Sequence, residues 1–313
     1  MYFPYFRGKM YELKAVEESS TTLSQSGFVP IIEPVKQSFR SLQKTLTAVR
    51  ESCGHAVIIV NPYHGDLDRD NSGISSFIDN EFGDYSGIQA GILMKEDTES
   101  HHVVRYLDRH GDRSTTLIHA GFGAPKDLRN RINGRSQVRR HVFVDELTGK
   151  LYRRRFRDVT RVLLRDGFRR RKNREYPFVE FFSDLHETFG DEGMNGFGDF
   201  SIVGDDFIDA GGPAYAIAIH LTYISSSKDN EMHIYHFISD RQDTPTDPAG
   251  KFAEALAKLI AEVNNEHSEI YKTSAIKEFQ DLHERGHYPG LGYIKKLSMR
   301  HHIETLAHHF DLI

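Results

Sequence analysis

The chain has 313 residues with 40 Lys and Arg against 45 Asp and Glu, a formal net charge of −5 at neutral pH and a pI near 6.4. That balance excludes a wholly basic nucleic-acid binder while leaving room for a local basic patch. Cys53 is the single cysteine, which excludes an internal disulfide framework and a cysteine-based zinc cluster, and it reads as a buried structural thiol in a reducing compartment. No segment approaches the roughly 20 apolar residues of a membrane span, and the first residues do not resemble a signal peptide. The expectation is a cytoplasmic protein without membrane contact.

Taken in order, the sequence predicts strands over 2–6, 28–33, 56–61, 88–94, 116–120 and 140–145. Between them lie helical patterns over 10–24, 38–53 (capped by Ser38), 74–82, 101–109 and 126–132. Strand starts recur about every 25 to 30 residues, and strands apolar on both sides alternating with helices imply a parallel sheet with helical crossovers. The predicted class is α/β, a (β/α)8 TIM-barrel-like fold. A doubly wound open sheet ranks behind it, because no Gly-x-Gly-x-x-Gly turn follows the first strand.

The beat breaks after the sixth strand. Residues 147–198 read as a basic insertion, so the barrel is expected to be irregular in its last quarter within one domain over 1–313. The stretch 196–224, GFGDFSIVGDDFIDAGGPAYAIAIHLTYI, contains two apolar runs, 200–203 and 214–224, around a turn rich in glycine and aspartate, including Asp209, Gly211 and Gly212. In the second run Ala214, Ala216, Ala218, His220 and Thr222 share one face and Tyr215, Ile217, Ile219, Leu221 and Tyr223 the other. A further strand over 232–239 is its expected hairpin partner. Residues 248–313 predict extra C-terminal helices packed on the barrel through Phe252, Leu256, Leu259, Ile260, Ile294, Leu297, Ile303 and Leu306.

In such barrels functional groups gather where strands end. The predicted ends present Arg7, Lys9, Glu33, Lys36, Asn61, His64, Asp66, His119, Asp145, Asp205, Asp206 and either His220 or His236. Glu33, Asp145, Asp205 and His220 form the expected catalytic set. Arg7, Lys9, Lys36, Asn61 and His119 are the expected ligand-binding groups, with Arg7, Lys9 and Lys36 suited to phosphate oxygens. Carboxylates and a histidine from several strand ends suit a divalent cation such as Mg2+, and metal-assisted phosphoester hydrolysis would use that arrangement. The plainer reading takes them as solvated strand-end charges. Asp205 and His220 are further expected to pair, the carboxylate raising the imidazole pKa. The alternative is a buried pair that only ties two strands together.

The 18 histidines include the pairs His101-His102, His301-His302 and His308-His309, which read as helix-surface or helix-packing residues. The run 153–174, RRRFRDVTRVLLRDGFRRRKNR, holds ten arginines and one lysine against Asp158 and Asp166. Arg153, Arg154, Arg155, Arg169, Arg170 and Arg171 are its candidate nucleic-acid contacts, with a solvated helix paired to acidic neighbours as the alternative.

Four stretches carry a resemblance: YFPYFRGK with the following Glu12, IIEPVK, the GFGDFSIVGDD…GGPAYAIAIHLTY block and GLGYIKKLSMRHHIE. Together they resemble a bacterial family with a locus-derived name, similar to the broader "beta" family of phage and bacterial proteins. The resemblance spans nearly the whole chain. It implies a neighbouring-gene partner protein and a phage-defence-type setting, and it transfers no catalytic residue. The expected function is thus a barrel acting on or binding a nucleotide or nucleic-acid phosphate at its C-terminal rim. The alternative is a non-catalytic nucleic-acid- or protein-binding subunit of a two-gene system.

Overall fold

The six predicted strands pair side by side. In the computed structural model, which describes residues 1–67, 71–207 and 214–310, β1 (Tyr5–Phe6), β2 (Ile31–Ile32), β3 (Ala56–Ile59), β4 (Ile88–Met94), β5 (Thr115–His119) and β6 (Val138–Val144) are parallel neighbours in that order. β7 (Thr160–Leu164) follows β6. β8 (Val179–Ser183) belongs to a different sheet, and β9 (Gly196–Gly198) completes an eight-stranded, nearly closed parallel barrel.

The crossovers are α1 (Met10–Glu18) and α2 (Ser20–Gln25), α3 (Arg40–Glu51), α4 (Ser72–Phe82), α5 (Ser100–Arg109), α6 (Pro125–Ile132) and the short α7 (Lys150–Arg153). The helix expected over 10–24 is broken at Ser19. The Ser38 cap is not made, since Phe39 occupies the position before α3 without a side-chain cap. Cys53 is exposed rather than buried, at φ 54 just past the end of α3.

The eighth barrel strand is not the predicted 200–203 run, whose Ser201–Val203 is a single 3-10 turn. It is the three-residue Gly-Phe-Gly segment before it. Phe3 N donates to Phe197 O at 2.8 Å and Phe197 N to Met1 O at 3.1 Å, which closes the barrel. Glycine is required there because a Cβ on Gly198 would stand 2.2 Å from Phe3 O, and one on Gly196 2.5 Å from Met1 O. Alternate strand residues, among them Tyr5, Ile31, Val57, Leu93, Ile118, Val142 and Leu164, fill the interior together with Phe200.

Two compact units emerge where the sequence reads as one domain: Met1–Arg165 with Thr188–Phe200, and Asp166–Glu187 with Ser201–Ile313. The 147–198 segment is therefore not one insertion. Its alternating Thr160–Leu164 pairs with β6 as barrel strand, whereas β8 joins the second unit. Between them the units share the one-turn α8 (Leu185–Thr188).

In the second unit β10 (Ala218–Ser225) and β11 (Glu231–Ile238) form the predicted antiparallel hairpin. Asp229 and Asn230 take the left-handed backbone its turn needs, and β8 extends the sheet on the far side of β11. The alternation holds from Ile217 onward, with Ile217, Ile219, Leu221 and Tyr223 buried on one face, whereas Tyr215, ahead of β10, is exposed. Three helices cover that face: α9 (Pro248–Val263), α10 (Ser274–Glu284) and α11 (Leu291–His309), through Phe252, Leu256, Leu259, Ile276, Phe279 and Leu297. The C-terminal helices thus bury the expected side chains, Ile260 in part, and the layer they cover is this antiparallel sheet. α11 is buried almost all round, so His301 and His302 are core residues, not surface ones. The turn at Asp209, Gly211 and Gly212 lies outside the described residues. Among the described residues no helix is long and apolar enough to cross a membrane.

Candidate functional site at the strand ends of the barrel

The first three strands end in a buried polar cluster centred on Glu33, which has no exposed surface. Its Oε2 accepts from the Tyr5 hydroxyl at 2.8 Å and lies 3.5 Å from Arg7 Nε. Its Oε1 accepts from Tyr63 N–H at 2.8 Å and stands 2.9 Å from His64 Nδ1. Burial alone would push the carboxyl pKa up. The His64 contact, the Tyr63 N–H and the Arg7 charge outweigh it, and the pKa is lowered. Glu33 is therefore an ionised carboxylate that orients the His64 imidazole, whose side chain keeps 23% exposure. Arg7 is fixed in turn: its guanidinium lies over the Tyr5 and Phe200 rings and its backbone N–H donates to Glu12.

The other expected ligand groups differ in what they are free to do. Lys9 precedes α1, and Lys36 is exposed, 3.6 Å from Asp66. The Asn61 side chain is spent on structure, since its amide donates to Leu93 O and accepts from Leu93 N, extending the β3–β4 edge. Lys95, after β4, sits 4.6 Å over the Tyr63 ring and adds a cation to the Glu33 side of the mouth.

Asp145 does follow β6, as expected, but across the barrel order from Glu33. Its two oxygens accept from Arg153 Nη1 at 2.8 Å and Arg165 Nε at 2.7 Å. With both carboxylates engaged by protein donors, neither is set out as a ligand for a hard cation. Among the described residues one trio has metal-ligand spacing, His186, Glu187 and His309 in the second unit, and none of the expected site residues belongs to it.

His119 is at a strand end but faces outward. Ile118 and Val142 point into the barrel, so their neighbours His119 and His141 project to the helical layer. There His119 Nε2 lies 2.8 Å from His141 Nδ1, and its Nδ1 2.7 Å from the Tyr152 hydroxyl. It is not a group of the mouth.

Asp205 and His220 both belong to the second unit. The Asp205 backbone N–H donates to Asp166 Oδ2. His220 Nδ1 instead meets His236 Nδ1 at 2.7 Å, and His236 Nε2 stands 3.1 Å from Glu180. Burial, with His236 and Lys295 adding to it, holds the His220 pKa well below its ordinary value, the reverse of the expected rise. The partner that tertiary structure supplies is a histidine one strand away.

The arginine run forms no single helical face. It passes through β7 and divides between the units at Arg165. Arg153 is 5% exposed and bound to Asp145, which removes it from a nucleic-acid surface. Arg171 forks onto both oxygens of Glu180, Arg169 lies 4.0 Å from the same carboxylate and Arg170 lies 3.9 Å from Asp206. Arg154 and Arg155 are exposed and have no ion-pair partner among the described residues.

Two participants are not singled out by the sequence. The Tyr5 hydroxyl carries the signal of a core aromatic, although inward alternation one residue before a strand end places it under the mouth. The Tyr63 N–H carries no side-chain signal at all. Fold and strand-end cluster together define an α/β protein of the TIM-barrel-like class. Comparison with protein-family models gives no match, and comparison with curated proteins gives none either.

Proposed function

We propose that the C-terminal mouth of the barrel binds a phosphate-bearing ligand, a nucleotide or nucleic-acid strand, and that His64 moves a proton during hydrolysis of its phosphoester. The observation that supports this most is the Glu33–His64 pair set beside Arg7, all at the ends of β1–β3. An imidazole oriented by a buried carboxylate accepts a proton from water or returns one to a leaving oxygen. Arg7, Lys36 and Lys95 supply the positive field that phosphate requires. The setting in this reading is a phage-defence-type system with a neighbouring-gene partner.

The test is a titration with nucleoside phosphates and short oligonucleotides, followed by hydrolysis assays. Arg7→Lys is expected to weaken binding at least tenfold. His64→Gln is expected to keep binding and lose about 10²- to 10⁴-fold in turnover. Binding and turnover indifferent to both changes would overturn the reading. Non-catalytic nucleic-acid binding is the second reading, favoured by the exposed Arg154 and Arg155.

A further inference from the structure

The crossover between β6 and β7 carries only the four-residue α7 in place of a full helix. A pocket of about 360 Å³ opens in the outer layer there, between the end of α6, the start of β6 and the loop before β7. Arg129, Arg135 and Arg139 line it, with Asp158 as the single carboxylate. Arg129 pairs with Asp158, and Arg135 with Asp108 at 2.7 Å. Arg139 is exposed and has no ion-pair partner among the described residues.

The inner wall holds His141, 4% exposed, at the end of the Tyr152–His119–His141 chain. Its Nδ1 is taken by His119, and no described residue bonds its Nε2. That nitrogen is not fully enclosed, and its residue lines the pocket, so a ligand or solvent there can meet it. Protons in this chain can run in either direction. Running from Tyr152 to His119 to His141, they leave an N–H on Nε2, the direction a bound anion stabilises.

We propose that this pocket is a second binding site, for the phosphate group of a phosphorylated small molecule. Guanidinium forks match phosphate oxygens bidentately, and the His141 N–H adds a donor from below. The volume admits a phosphate with a sugar attached and excludes a folded protein segment. Burial, with Arg129 adding to it, holds the His141 pKa down at about 3, so the ring meets the ligand as a neutral donor.

The experiment titrates the full chain with inorganic phosphate and with a nucleoside monophosphate by calorimetry, and follows the histidine ring resonances by NMR. Saturable binding is expected at a site whose occupation moves the His141 resonances, with Arg139→Ala weakening that binding at least tenfold while Arg139→Lys retains part of it. Binding kept by Arg7→Lys but lost by Arg139→Ala assigns the phosphate here, whatever the fate of the mouth. The opposite pattern assigns it to the mouth and overturns the proposal. So does the absence of saturation, or binding only of an oligonucleotide through Arg139. The NMR readout on the unmodified chain stands even if substitutions at His141 fail to fold.

Discussion

Nδ1 of His64 and Oε1 of Glu33 lie 2.9 Å apart, joining an imidazole that reaches the surface to a carboxylate that does not. The pair links the loop after β3 to the end of β2, so it is a structural tie as well as a proton path. Glu33 also lies 3.5 Å from the buried Arg7 Nε, and removing one member of a buried ion pair costs about 3 to 5 kcal/mol. Glu33→Gln is accordingly expected to lose stability of that order in urea denaturation at pH 7. The folded pKa of Glu33 is lowered, below an unfolded value of about 4.3. Its contribution is therefore complete above that value and is lost as pH falls through the folded pKa. The difference between variant and parent should stay constant down to about pH 5 and narrow only below. A difference that narrows between pH 7 and 6 would assign the effect to another group.

Buried histidines act in a separate window. His141 is held at about 3, and His236 and His301 at about 4, burial being the leading cause in each. Their unfolded values are near 6.5, so the unfolded chain takes up protons that the folded one refuses. Stability should be level above about pH 7 and fall between roughly 6.5 and 4, each histidine adding up to about 1.4 kcal/mol per pH unit. His301→Gln should make that slope shallower by one proton. An unchanged slope would mean that His301 is protonated in the fold.

Barrel closure rests on a backbone contact with no room for a side chain. Gly198→Ala places a methyl 2.2 Å from Phe3 O, and the overpacking should cost about 3 kcal/mol or more. At Gly190 a Cβ meets nothing within 4 Å, so Gly190→Ala serves as the control, within about 0.5 kcal/mol of the parent. Equal midpoints for the two variants would show that β9 does not close the barrel.

The arginine run divides into structural and available members. Arg153→Ala removes a charged hydrogen bond to Asp145 and should cost about 1.5 to 3 kcal/mol, with thermal melting as the measure. Arg155→Ala should leave melting unchanged and weaken salt-dependent retention on DNA or RNA, lowering the salt slope by about 1. If retention is absent in the parent protein, the nucleic-acid reading of this segment fails.

The parallel order of β1–β6 was legible because strands covered on both faces must be apolar on both faces, as at Ala56–Ile59 and Ile88–Met94. Glu33 was legible for a related reason, since an ionisable residue directly after an Ile-Ile strand lands at the mouth whatever the details. The hairpin at β10–β11 followed from the alternation of its first strand and the apolar run after it.

By itself the sequence determined the local period, and with it the strand and helix order, the apolar faces and the residues standing at strand ends. Only the tertiary structure decided which charges meet. Gly196–Gly198 became a barrel strand because of a close approach to Met1 and Phe3, a demand that leaves glycine and no apolar signal. The facing of His119 depends on strand register, where one residue reverses inside and outside. Asp145 found Arg153 and Arg165, and His220 found His236, through contacts between separate elements. Ion pairs and hydrogen bonds are made over a few ångströms in space, while periodicity speaks only of neighbours along the chain.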